Sequence, residues 1–168
     1  MKRILMLIAL ISPLYTYGAK VSAPDIVPVP QKLEMGKGTF KLKGVSINCD
    51  PAMGPATVKA VRQFADRLSL VSGRTSSVAS PVGLVRTVDS GKIKGMYIIR
   101  DASVAPEGYK ISISPRAVVV RTSDYNGVFY SLQTLRQMLP VSIYGTKPDL
   151  KGNWRLPCCE IEDAPRFG

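Results

Sequence analysis

Apolar positions along this chain follow two different periods. Between Gly54 and Gly73, the residues Val58, Val61, Phe64, Ala65, Leu68 and Val71 recur at helical spacing on one face. Lys59, Arg62, Asp66 and Arg67 lie away from it, so the segment predicts an amphipathic helix with a solvated side. Pro55 suits the first turn, where its missing N–H would be unpaired anyway, and Gly73 is a natural C-terminal cap. A second helix is predicted from about Tyr125 to Leu139, capped by Ser123 or Asp124 and stopped by Pro140. Val128, Leu132, Leu135, Met138 and Leu139 share one of its sides. The opposite side carries Tyr130, Gln133, Thr134 and Gln137, polar without a charge, and Arg136 falls at the boundary.

Elsewhere the period is two. "QKLEMGKGTFKLKGVSINCD" alternates around Gly36, Gly38 and Gly44 and predicts short strands joined by turns. The prolines at 24, 28 and 30 stiffen an extended approach to it. "RTSSVASPVG" reads as a polar loop. "LVRTV" and "MYIIR" read as strands around a Ser90-Gly91 turn, and "PEGYKISIS" with "AVVVRT" as an antiparallel hairpin with one covered face. A loop after Pro140 leads to a last strand, "WRLPCCEIED". The expected class is α+β: a mainly antiparallel β-sheet with two α-helices packed on one face.

The first residues stand apart from this pattern. Lys2 and Arg3 precede an unbroken apolar run from Ile4 to Ile11, and Gly18 and Ala19 offer small residues for cleavage. Residues 1–19 are therefore expected to be a signal peptide, giving a secreted or periplasmic product. The run is too short to span about 30 Å of hydrocarbon, so no stable membrane anchor is expected. Of the 168 residues, those from 24 to 163 form the expected domain, long enough to bury a core without disulfides.

Charge and chemistry narrow the function by exclusion. The net charge of +11 is spread over the chain with no dense basic cluster and no nucleic-acid motif, so nucleic acid is not an expected partner. There is no histidine, which excludes a histidine-based triad or zinc site within this chain, and no cofactor is expected. Three cysteines do not make an even disulfide framework. Pairing of Cys49 with Cys158 or Cys159 stays open in an oxidising compartment, and buried free thiols are the plainer state. Glu160 and Glu162 share a strand face near Asp163. Paired carboxylates can run acid–base chemistry, but these have no histidine, metal motif or glycine-rich loop around them. The informative feature is the uncharged side of the second helix. An exposed helix face normally recruits Lys and Glu, whereas Tyr, Gln and Thr fit against a second protein surface, where burying charge is costly.

Three stretches resemble a known family. "PEGYKISIS", "SDYNGVFYSLQTLRQMLP" and "WRLPCCEIEDAPRFG" are similar to the N-terminal, non-catalytic domain of glycoside hydrolase family 20 β-N-acetylhexosaminidases, as is the opening "IVPVPQKLEMGKGTFKL". Gly127, Phe129, Tyr130, Gln133, Thr134 and Leu135 stand at the family's spacing, with "EIEDAPRF" nearly as specific. The resemblance implies the zincin-like accessory domain, packed through its helical side on a following catalytic TIM barrel. It also implies that an Asp–Glu pair on that barrel removes a terminal N-acetylhexosamine, with the substrate's acetamido group as nucleophile. No residue of this chain matches the catalytic pair or the sugar-binding arginine. Residues 164–168 then begin the linker to a barrel absent from these 168 residues, and the chain is expected to be inactive alone, meeting glycan only through the parent enzyme. Tyr130, Gln133, Thr134 and Gln137 are expected to face the barrel. The alternatives are a free-standing carbohydrate-binding or protein-interaction module, or the accessory domain of another multi-domain glycosidase. A single Trp and scattered tyrosines speak against the first.

Overall fold

A computed structural model describes residues 22–89 and 92–166, so the expected signal peptide and the Ser90-Gly91 turn lie outside the described residues. The strands are β1 (Lys32–Lys41), β2 (Ser46–Cys49), β3 (Ser77–Ala79), β4 (Gly95–Arg100), β5 (Tyr109–Ile113), β6 (Ala117–Thr122) and β7 (Arg155–Asp163). The helices are α1 (Gly54–Ser72), α2 (Leu84–Asp89) and α3 (Tyr125–Gln137). All strands join one sheet in the order β1-β7-β5-β6-β4-β2-β3.

The sheet is mixed, where a mainly antiparallel one was expected. β1, β7, β5 and β6 pair antiparallel, and β6, β4, β2 and β3 pair parallel. The parallel half needs crossovers, and α1 supplies the one between β2 and β3. Two segments differ from the sequence reading. "LVRTV" is the short helix α2, and "RTSSVASPVG" contributes the three residues of β3.

The α+β class and the two long helices on one face hold. α1 and α3 cover Met96, Ile98, Ile111, Val118, Val120 and Ile161 with Val61, Phe64, Leu68, Leu132 and Leu135 in one continuous core. Each fully buried aliphatic or phenyl group contributes roughly 1.5–3 kcal/mol relative to exposure. α1 begins at Gly54-Pro55 after a 3-10 turn capped by Asp50, whose carboxylate accepts from Ala52 N at 2.9 Å. It ends at Gly73 in the left-handed region, φ 65°, with the Gly73 N–H donating to Ser69 O. On the opposite face, α2 sets Leu84 and Val88 against Tyr97 and Ile99. Where β5 meets β7 that face carries polar pairs. Lys110 pairs with Glu162 at 2.9 Å, and Ser112 Oγ donates to Glu160 at 2.6 Å.

Candidate functional site

The site is built around the way α3 is anchored. Asp124 caps the helix, its carboxylate accepting from Gly127 N at 2.9 Å and, through its other oxygen, from Glu107 N at 2.7 Å. Asn126 Nδ2 returns a 2.7 Å bond to Glu107 Oε1. Gly127 lies against the hydrogen bond from Thr122 Oγ1 to Gly108 O, and a Cβ there would come within 1.9 Å of Thr122 Oγ1 and 2.2 Å of Gly108 O. This close approach pins the first turn of α3 to β6 and to the loop before β5, and so fixes which side of the helix turns outward. Val128, Leu132 and Leu135 enter the core, while Phe129 and Tyr130 remain on the surface as an edge-to-face pair with centroids 5.8 Å apart.

Tyr130, Gln133, Thr134 and Gln137 line one cleft of about 600 Å³. Its other walls are the N-terminal strap Ile26–Val29 and the residues leaving β7, Asp163 to Arg166, with Tyr109 and Glu107 completing the lining. The four helix residues are used differently. Gln137 clamps the strap: Val27 N donates to Gln137 Oε1 at 2.8 Å, and Gln137 Nε2 donates to Val27 O at 3.0 Å. Thr134 is buried, with its hydroxyl 2.7 Å from that of Tyr109. Burial raises the Tyr109 phenol above its ordinary pKa, the Thr134 bond opposes this, and Asp163 adds to it. Tyr130 is exposed and Gln133 half-buried, so these two present the helix to the cleft.

The strap is tied to the end of β7 as well. Gln31 N donates to Asp163 Oδ1 at 3.3 Å, Gln31 Nε2 donates to Ala164 O at 3.0 Å, and Arg166 Nη2 donates to Val29 O. Val27 and Val29 are 75% and 69% exposed beside this seam, which makes the rim apolar as well as uncharged on the helix side. Sequence reasoning missed the strap, Tyr109, Asp163 and Arg166 as parts of the site. The prolines at 28 and 30 marked the strap as extended, but nothing local told what it runs along.

The carboxylates and thiols are engaged elsewhere. Glu160 and Glu162 belong to the polar face of the sheet, bonded to Ser112 and Lys110, while Asp163 faces the cleft. Cys49, Cys158 and Cys159 are free and buried. Burial, then the neighbouring Asp50, pushes Cys49 up to about 11. Burial, then Glu160 and Cys158, pushes Cys159 to about 11, and burial raises Cys158. Such thiols are poor nucleophiles, because the thiolate is the reactive species.

The family described as glycosyl hydrolase family 20, domain 2, matches residues 23–164. A β-hexosaminidase of Porphyromonas gingivalis is 27% identical over 146 residues, covering 86% of this chain and 18% of the relative. The chain thus spans under a fifth of the curated relative it matches. Among solved structures, the N-acetyl-β-hexosaminidase of Streptomyces plicatus superposes with a TM-score of 0.71 at 23% identity, covering 85% of this chain and 26% of that one. A β-N-acetylhexosaminidase from Bacteroides fragilis superposes with a TM-score of 0.56 at 25% identity, covering 84% and 25%.

Proposed function

Because the chain belongs to glycosyl hydrolase family 20, domain 2, we propose that it is the accessory domain of a secreted or periplasmic β-N-acetylhexosaminidase and serves as the seat of a catalytic barrel. In this reading the hydrolysis of terminal N-acetylhexosamine belongs to the barrel, and the 168 residues are inactive alone. The observation that carries the reading is the match over residues 23–164, next to which the uncharged α3 wall of the cleft faces the residues that leave β7. A partner seated there would cover Tyr130, Gln133, Val27 and Val29, replacing solvent around an apolar rim.

The test compares this chain with the polypeptide expressed from the whole reading frame, both assayed on a chromogenic N-acetylglucosaminide. Turnover is expected from the longer protein and none from the chain. Turnover by the purified chain, or a whole reading frame that encodes no barrel, overturns the proposal. N-terminal sequencing of exported protein checks the compartment, with cleavage expected after Gly18 or Ala19.

A further inference from the structure

We infer that the surface covering α3 brings a carboxylate to Arg136. The inference rests on the docking reading above and adds the chemistry of the partner.

Arg136 sits half-buried in the seam between α1 and α3. Its guanidinium carbon lies 5.6 Å from the ring centroid of Phe64, a fully buried residue of α1. Nη1 donates to Gln133 Oε1 at 3.2 Å, which joins it to the cleft. Among the described residues Arg136 forms no ion pair. A nearby charge is another cation, Arg67, whose own Nη1 is turned to Gly145 O at 2.8 Å. Burial pulls Arg136 below the ordinary arginine pKa, the nearby Tyr144 phenol opposes this, and Arg67 adds to it.

A guanidinium has five donors in a rigid fork, and Gln133 satisfies one. With the rest in water this is tolerable. Because Gln133 accepts from Arg136, a protein surface closing over Gln133 would also come up against the guanidinium, and a neutral surface there would leave a buried cation unpaired. A carboxylate meeting the fork side by side removes that penalty and fixes the register of the two surfaces. The uncharged stretch of α3 and its single boundary cation thus describe one footprint: apolar and amide contacts over the cleft, and one acidic side chain at the edge toward α1.

Two probes in the polypeptide from the whole reading frame separate this from the docking reading. A photo-reactive benzoylphenylalanine in place of Gln133 reports whether anything covers the cleft. Arg136→Lys puts an amine at the seam, which carbodiimide joins to a carboxylate in contact. Circular dichroism first checks that each variant folds. The expected result is that both positions join to peptides from beyond residue 168, the second through Asp or Glu. Its yield should be at least tenfold above that of an Arg136→Gln control. A photo-adduct from position 133 with no acidic peptide at 136 overturns the inference and leaves docking standing. Adducts from neither position overturn both.

Discussion

Gly127→Ala tests the anchoring of α3 because two general effects predict opposite signs. Gly127 lies inside a helix, where alanine is favoured over glycine by about 0.8–1.0 kcal/mol. Propensity alone therefore predicts stabilisation. Packing predicts the reverse, since the new Cβ would stand 1.9 Å from Thr122 Oγ1 and 2.2 Å from the Gly108 carbonyl oxygen. One obstacle is backbone, so rotating Thr122 away relieves only part of the clash. That rotation also breaks the buried bond from Thr122 to Gly108. Overpacking costs about 1–3 kcal/mol, and an unpaired buried carbonyl roughly 1–3 more. After subtracting the propensity gain, the net loss is about 1–5 kcal/mol, centred near 3. For a domain of this size that lowers Tm by roughly 6–12 °C. The assay is urea and thermal unfolding followed by circular dichroism. Gly83→Ala is the control, at φ +76° with open space around the would-be Cβ, where only the left-handed backbone resists, at about 1–2 kcal/mol. An unchanged or raised midpoint for Gly127→Ala would refute the packing argument.

Three further outcomes follow from the same contacts. Asp124→Ala removes a cap that holds both Gly127 N and Glu107 N and should cost about 1–2 kcal/mol in urea unfolding, with Asp124→Asn costing less. Gln137→Ala removes both bonds to Val27 and should speed amide exchange at Val27 while lowering global stability by no more than about 1 kcal/mol, because the clamp is exposed. Cys49 and Cys159 should resist a thiol reagent at pH 8 until the protein unfolds, since thiols near 11 are ionised in only about one molecule in a thousand. The native state holds those protons more tightly than the unfolded chain, so their contribution is fully present below the ordinary thiol range. It is lost as pH rises from about 9 toward 11, which should appear as a falling urea midpoint.

The parts of the fold legible in the sequence are those whose signals are local. Pro55 and Gly73 bound α1, and Asp124 bounds the start of α3, because caps and stops act within one turn. α2 was misread for a geometric reason. Leu84 and Val88 are four apart, a spacing that puts two residues on one face of a strand as well as of a helix. Five residues cannot separate the two periods. β3 has three residues, too few to alternate, and exists because β2 offers it a parallel edge. The parallel half of the sheet was hidden with it. At the cleft, Tyr130, Gln133, Thr134 and Gln137 were legible as a helix side. Their neighbours were not, because Val27 lies 110 positions from Gln137 and Tyr109 lies 25 from Thr134. That two of the four already serve the domain's own strap and core is a tertiary fact without a local signature.

The strand order also sets a timetable for synthesis. β1 borders only β7, which is the last strand of the chain. A ribosome that has finished β1 must add roughly 110 more residues before its partner begins to emerge, about 6–23 s at ordinary elongation rates. During that time both edges of β1 are unpaired. Its composition suits the wait: Lys32, Lys37 and Lys41 keep neighbouring nascent chains apart, and the irregular register between Met35 and Thr39 breaks the flat template that a second strand would need. The parallel half and α1 can assemble meanwhile, so the nascent sheet can close from its β3 edge toward β1, with the strap and the cleft completed last.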